Sequence, residues 1–170
     1  SDGYLNSNWM PTANFFINTV NDRPSDPGIS SPVNNVHVAT LTPALSITNA
    51  ADVDFYDTLT YDFDVATDGG FTEIVAGATS VAPGAGGVTS WTAIPALSEN
   101  SPYYWRARAK DNNGGESNWV SASFFVNTAN DAPTAPAINT PASGEVATVT
   151  PTLVVNDATD PDSQSLMYTF

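Results

Sequence analysis

The sequence has no cysteine, only four Lys or Arg residues and a single histidine. Without cysteine the chain can form neither a disulfide nor a thiolate-bound zinc site. Four basic residues against 18 acidic ones give a formal net charge of −14. A surface this acidic argues against nucleic acid or an anionic membrane as partner, because both require a positive surface. The acidity suits solubility or the binding of hard cations such as calcium.

Long apolar runs are also missing. No stretch approaches the roughly 20 apolar residues that a membrane-spanning helix requires, and no signal peptide opens the chain. We therefore expect no membrane insertion in this segment. The chain starts at Ser1 rather than Met, which is typical of an excerpt from a longer protein.

The sequence does contain an internal repeat. Residues 15–24 (FFINTVNDRP) recur as residues 124–133 (FFVNTANDAP), an offset of 124 − 15 = 109. Residues 43–45 and 52–54 return as 151–153 and 160–162, with small indels between the conserved blocks, as loops tolerate. We interpret residues 1–22 as the end of a preceding repeat, 23–131 as a complete repeat and 132–170 as the first part of a following one.

Alternating apolar and polar residues predict short strands rather than helices. In residues 59–65 the odd positions are apolar and the even ones polar, and residues 103–109 repeat this period of two. Thirteen prolines and 11 glycines supply the turns. The pattern predicts an all-β sandwich of seven short antiparallel strands in two sheets. We expect them at residues 29–33, 44–48, 59–65, 71–75, 88–93, 103–109 and 119–127.

Basic residues follow the polar face of the strand at 103–109. Arg106 and Arg108 alternate with apolar residues, and Asp62 and Asp64 lie on the polar face of the expected neighbouring strand. We predict cross-strand pairs between these carboxylates and arginines, worth about 0.2–1 kcal/mol each. The alternative is a basic ligand-binding patch, which the opposing carboxylates disfavour.

The segment 97–111 resembles the fibronectin type III signature. Leu97 precedes Tyr103 by six residues, and alternating apolar positions lead into an Ala-x-Asp turn at Ala109. The resemblance implies tandem Ig-like sandwiches, with the Tyr103 hydroxyl bonded to backbone near Leu97. The family's usual second-strand tryptophan is absent, so Trp105 or Trp91 is expected to occupy that volume.

Trp119 is a further structural candidate. It stands in a Ser-Asn-Trp motif that recurs at residues 7–9. Because the motif occupies the same place in each repeat, we expect Trp119 inside the sandwich rather than on a sugar-binding surface.

Acidic residues recur between and within the repeats. The Asn-Asp-x-Pro linkers resemble those of cadherin-like repeats, in which calcium stiffens the junction, and calcium prefers oxygen ligands. Turn formation explains the same residues equally simply, and the loop after the second strand could lie at the wrong pole to meet its linker. Asp57 lies near that loop. The predicted calcium ligands are Asn21, Asp22, Asp52, Asp54, Asn130, Asp131, Asp160 and Asp162.

Catalysis finds little support in the sequence. His37 has no nucleophile motif around it and is interpreted as a surface strand residue, and no pair of carboxylates is singled out. We therefore predict no enzyme, but a structural or adhesive repeat region of a long extracellular or cell-surface protein. Its partners would be neighbouring repeats or copies of itself, or a surface glycan or protein. The alternative is a spacer or carbohydrate-binding module of a large secreted hydrolase.

Overall fold

The computed structural model describes Gly3 and residues 8–144 and 146–170. Within these residues the chain forms ten strands and one short turn of 3-10 helix at Ala85–Gly87. The strands are β1 Gly28–Ser31, β2 Val36–Val38, β3 Ala44–Thr48, β4 Thr60–Ala66, β5 Ile74–Val81, β6 Val88–Thr92, β7 Ser101–Lys110, β8 Val120–Val126, β9 Ala137–Thr140 and β10 Val154–Asn156.

The first eight strands form two sheets. One sheet has the order β1-β3-β6, and the other has the order β2-β8-β7-β4-β5. All pairs are antiparallel except β2 with β8, which is parallel. Strands β9 and β10 pair in a separate two-stranded sheet. The fold class is therefore the predicted one, an all-β sandwich of two sheets.

Two details of the predicted strands are wrong. The short strand β2 adds an eighth strand and the one parallel pair among the described residues. The strand expected at 71–75 begins at Ile74 and continues to Val81. Its start is delayed because the Asp68 carboxylate accepts hydrogen bonds from the backbone N–H groups of Gly70, Thr72 and Glu73, which extends the turn.

The core lies between the two sheets and follows the period-two pattern. Phe63 stacks on the fully buried Trp105 with ring centroids 6.4 Å apart, and the half-buried Trp91 lies 6.0 Å away on the other sheet. The indole N–H of Trp105 donates to the carbonyl of Pro32 at 3.0 Å, so its one polar atom is satisfied. Among the described residues there is no helix of the length and hydropathy that a membrane crossing requires.

Candidate functional site

The loop between β3 and β4 turns tightly around Asp54. Its backbone N–H donates to the carboxylate of Asp52 at 2.9 Å, and its carbonyl accepts from the N–H of Asp57 at 2.9 Å. Asp54 itself is only 4% exposed. The turn brings one carboxylate oxygen each from Asp52, Asp54 and Asp57 within 4.8 Å of one another. We call these three residues the loop triad.

Two oxygens of the loop triad are buried and have no hydrogen-bond partner in the part of the chain that the structure describes. They are Asp52 Oδ2 and Asp57 Oδ2. The other oxygen of Asp57 accepts from the side-chain amide of Asn113 at 2.7 Å. Buried carboxylate oxygens ordinarily have a donor or a cation beside them, because their desolvation is otherwise uncompensated.

The linker before β1 docks onto this end of the sandwich. The backbone N–H of Asp22 donates to Asp54 Oδ2 at 2.7 Å. The side-chain amide of Asn21 donates to Asp111 Oδ2, at 3.1 Å, in the β7–β8 loop. The loop after the second predicted strand thus meets the linker that precedes the sandwich. Of the predicted ligands, Asp52 and Asp54 come together, whereas the amide of Asn21 is engaged by Asp111.

Asp111 organises the β7–β8 loop beneath the linker. Burial opposes ionisation of its carboxyl, but hydrogen bonds from the Asn21 amide and from the N–H groups of Gly115 and Asn113 outweigh burial and lower its pKa. Gly115 packs so closely that a Cβ there would lie 2.2 Å from Asp111 Oδ2 and 3.2 Å from the Cα of Arg23. From the sequence, Asp111 is only the last residue of the Ala-x-Asp turn at Ala109, because only the fold brings this loop to the linker.

The same arrangement occurs at the second linker. The N–H of Asp131 donates to Asp162 Oδ2 at 2.6 Å, and the N–H of Asp162 donates to Asp160 Oδ1 at 2.8 Å. Asp162 is fully buried, and its Oδ1 has no hydrogen-bond partner among the described residues. The predicted ligand Asn130 accepts from the Gln164 amide through Oδ1 at 3.0 Å.

A tyrosine hydroxyl accepts a backbone hydrogen bond next to each acidic loop. The hydroxyl of Tyr61 accepts from the N–H of Ala50 at 2.8 Å, and that of Tyr168 accepts from Ala158 at 2.8 Å. Burial raises the pKa of Tyr61, although the bond from Ala50 partly offsets this effect.

Glu99 holds the chain that leads into the second linker. One oxygen of its carboxylate accepts from the Thr128 hydroxyl at 2.6 Å, from the Thr128 N–H at 2.8 Å and from the Ala129 N–H at 2.9 Å. These hydrogen bonds, that of the Thr128 hydroxyl first, lower the pKa of Glu99. The neighbouring Asn100 donates its amide to Asp131 Oδ2 at 2.8 Å.

The outer face of the five-stranded sheet carries the paired charges. Asp64 contacts Arg106 at 2.8 Å, and Asp62 contacts Arg108 at 3.1 Å and Lys110 at 3.4 Å. Each carboxylate stands directly across from its arginine, because β4 and β7 pair in that register. Carboxylates of the neighbouring strand β4 therefore neutralise the basic residues on this face of β7.

Trp119 corrects the expectation of a core position. It is half-buried on the outer face, with its ring 4.2 Å from the Arg106 guanidinium and 4.6 Å from that of Arg108. The reason is strand alternation: Ala122, Phe124 and Val126 point inward, so odd-numbered residues of this segment point outward.

Tyr103 and Leu97 lie where the chain crosses between the sheets. The Tyr103 hydroxyl accepts from the N–H of Ser98 at 2.9 Å, directly after the buried Leu97. The Tyr103 ring stacks on Phe124 with centroids 5.9 Å apart.

A shallow depression opens on the outer face beside β2. It has a volume of about 240 Å³ and lies between Asn35, His37, Tyr104 and Phe125. The imidazole of His37 packs against the ring of Phe125 with centroids 5.0 Å apart. His37 is thus an outward-facing strand residue in contact with an aromatic ring.

No protein-family model matches the sequence, and no curated protein is significantly similar to it. Among solved structures, a PKD domain of an M14-like peptidase from the Thermoplasmatales archaeon SCGC AB-540-F20 is 24% identical, with a TM-score of 0.44 over 64% of this chain and 99% of that one. Fibronectin(III)-like modules of Clostridium thermocellum CbhA are 22% identical, with a TM-score of 0.37 over 59% and 96%. An α-L-rhamnosidase from Dictyoglumus thermophilum is 16% identical, with a TM-score of 0.44 over 69% of this chain but 15% of that one.

Proposed function

We propose that this chain is a non-catalytic structural segment of a long extracellular or cell-surface protein, in which tandem sandwiches form a stalk or fibre. The observation that carries this proposal is the repetition of the linker contact. Asp22 and Asp131 each donate their backbone N–H to a loop carboxylate, that of Asp54 and that of Asp162, at 2.7 and 2.6 Å. A spacing of 109 residues between equivalent linkers supports a tandem arrangement.

The mechanism would be mechanical. A linker whose backbone is hydrogen-bonded to the loop of the next sandwich has few orientations available. Glu99 restricts the preceding residues in the same way, through three hydrogen bonds to Thr128 and Ala129. Each junction would therefore set the angle between neighbouring sandwiches, and exposed edge strands or aromatic rings would be available for contacts with other copies.

Replacement of Asp162 by alanine tests this proposal. Because the chain has no cysteine, spin labels can be attached at Thr79→Cys and Thr148→Cys, which are exposed positions on either side of the second linker. We expect a narrow distance distribution by pulsed electron resonance that broadens in Asp162→Ala. Glu73→Ala, which removes one exposed carboxylate from the β4–β5 turn, serves as the control. A broad distribution in the unsubstituted chain would contradict the proposed rigid junction.

The depression beside β2 favours a second candidate function, a carbohydrate-binding or spacer module of a secreted hydrolase. Tyr104 and Phe125 offer ring faces on which a sugar ring can stack, and Asn35 offers a polar side chain. Titration with soluble polysaccharides would show saturable binding that Tyr104→Ala abolishes. Absence of binding to a broad glycan panel would leave the structural role as the better proposal.

A further inference from the structure

We propose that the free edge of strand β6 pairs with β6 of a second copy of this chain, antiparallel and across a two-fold axis. The pairing would join the β1-β3-β6 sheets of the two copies into one continuous sheet. It deepens the proposed function, on which it rests for its purpose, because it names the edge through which neighbouring fibres would associate side by side. The contact itself involves one sandwich of each copy and not the linkers.

Four strands lie at sheet edges of the sandwich, and three of them carry a feature that hinders pairing with another chain. Strand β1 has a bulge between Ile29 and Ser31 and is followed by Pro32. Strand β2 has three residues, and the register of β5 shifts twice. Strand β6 pairs with β3 without a shift and contains neither proline nor a charged residue. Within the described sandwich, β6 therefore has the one regular edge without such a feature.

The distribution of charge favours a second copy as the partner. Two chains of net charge −14 repel each other wherever their carboxylates come close. Residues 27–51 and 74–98 contain no Asp, Glu, Lys or Arg, and these two segments supply all of β1, β3 and β6. An identical chain that approaches along β6 therefore meets an uncharged sheet.

Backbone groups at this edge are available for hydrogen bonds. The N–H of Ala93 donates to the carbonyl of Pro43 at 2.9 Å, and hydrogen-bonded positions alternate along an antiparallel pair, so the odd-numbered residues of β6 bond to β3. The N–H and C=O groups of Ser90 and Thr92 consequently point away from β3. Since β3 is the only neighbour of β6 among the described strands, these groups have no partner strand.

Exposed apolar residues select the register of the pair. With Trp91 opposite Trp91 of the second copy, Val88 lies opposite Ile94, because 88 + 94 equals 91 + 91. Val88 is 40% exposed and Ile94 is 67% exposed, so each gains an apolar neighbour. In the same register, Ser90 and Thr92 of the second copy exchange backbone hydrogen bonds. The two-fold axis repeats each of these contacts.

Trp91 would form the centre of the contact. It is half-buried and packs on Phe63 with ring centroids 6.0 Å apart. Side chains opposite each other in a non-hydrogen-bonded pair come closest, so the two Trp91 rings would cover each other. The other possible register, with Ser90 opposite itself, needs the carbonyl of Val88. Gly84 covers this carbonyl so closely that a Cβ there would overlap its oxygen.

Amide hydrogen exchange of the 170-residue chain, followed by NMR at increasing protein concentration, tests the pairing. The Ser90 and Thr92 amides should exchange rapidly in dilute samples. For a dissociation constant of about 0.1 mM, they should become about fivefold protected at about 1 mM protein. The Trp91 amide, which bonds to β3, should be protected at every concentration. A weak contact suffices, because tandem repeats would multiply it.

Ser90→Glu should remove the concentration dependence, because each copy then adds a carboxylate to an uncharged contact. Ser30→Glu is the matched control: the same substitution at an exposed position of β1, on the opposite edge of the same sheet, should leave the association unchanged. Thr92→Pro is a second variant. It removes an N–H that the sandwich does not use, so the single chain is expected to fold while pairing is lost. Sedimentation equilibrium measures the association of each variant.

Two results would overturn the pairing. One is rapid exchange of the Ser90 and Thr92 amides at every concentration. The other is equal association of Ser90→Glu and Ser30→Glu. The spin-label distances across the second linker report separately on the proposed stalk. Narrow distances without pairing would leave the rigid junction standing and reject the lateral contact, whereas broad distances with protected amides would reject the rigid junction and leave the pairing standing.

Discussion

Trp119 is an outward-facing side chain that is expected to contribute to the stability of the sandwich. Its ring contacts two guanidinium groups, each of which is also paired with a carboxylate of the neighbouring strand. Each arginine is therefore already restrained by its carboxylate, which reduces the entropic cost of the stacking. Phe71 extends the stack, with its ring 4.6 Å from Arg106.

Replacement of Trp119 by alanine should destabilise the sandwich. Two cation–π contacts at about 0.5–1 kcal/mol each predict a loss of roughly 1–2 kcal/mol in the free energy of unfolding. Chemical denaturation followed by fluorescence measures this loss. Trp9→Ala is a matched control from the same Ser-Asn-Trp motif, because Trp9 is 99% exposed. Equal effects of the two substitutions would show that the stack contributes nothing.

Glu99 makes the second linker sensitive to acid. Its pKa is lowered by hydrogen bonds from Thr128 and Ala129. A lowered pKa means that the ionised carboxyl stabilises the folded junction above the ordinary value of 4.5, and that this contribution is lost as the pH falls through the lower, folded-state value. The junction should therefore loosen at acid pH and not at neutral pH.

An NMR titration tests this pH dependence. The Thr128 and Ala129 amide signals should shift together, with a midpoint below 4.5, the ordinary value for glutamate. In Glu99→Gln the transition should vanish. A midpoint at or above 4.5 would mean that the three hydrogen bonds do not favour the charged carboxyl.

At the scale of strands, period-two alternation predicted which side chains face the core and which face outward. Residues 59–65 and 103–109 showed which side chains face the core, and their polar faces placed Asp62 and Asp64 opposite two arginines. Strand β2 could not be predicted in this way, since three residues are too few for a pattern. The outward position of Trp119 follows from the same alternation, whereas the repeated Ser-Asn-Trp motif by itself wrongly predicted a core position.

Only part of the candidate site could be predicted from the sequence. Repetition along the chain singled out Asp52 and Asp54, because they recur as Asp160 and Asp162. The repeat does not identify Asp57 or Asp111. Their contacts arise because the β3–β4 and β7–β8 loops share one end of the sandwich, which only the three-dimensional fold determines.

The charge of the whole molecule leads to a prediction about salt. With 18 acidic and four basic residues, repulsion among carboxylates should outweigh the few ion pairs on the outer sheet face. In chelator, raising sodium chloride from about 0.02 M to about 0.5 M should therefore raise the thermal midpoint, because it screens this repulsion. Thermal unfolding followed by circular dichroism measures the change, and a lower midpoint would show that the ion pairs dominate.

Strand β2 also determines how the sandwich would carry tension. Because β2 and β8 are parallel, the chain enters the pair at one end and leaves it at the other. A pull on the two ends of the sandwich would slide these strands past each other and strain their hydrogen bonds all at once. An antiparallel pair pulled from one end would instead open bond by bond. The parallel pair of β2 with β8 is thus the place where the sandwich would resist stretching.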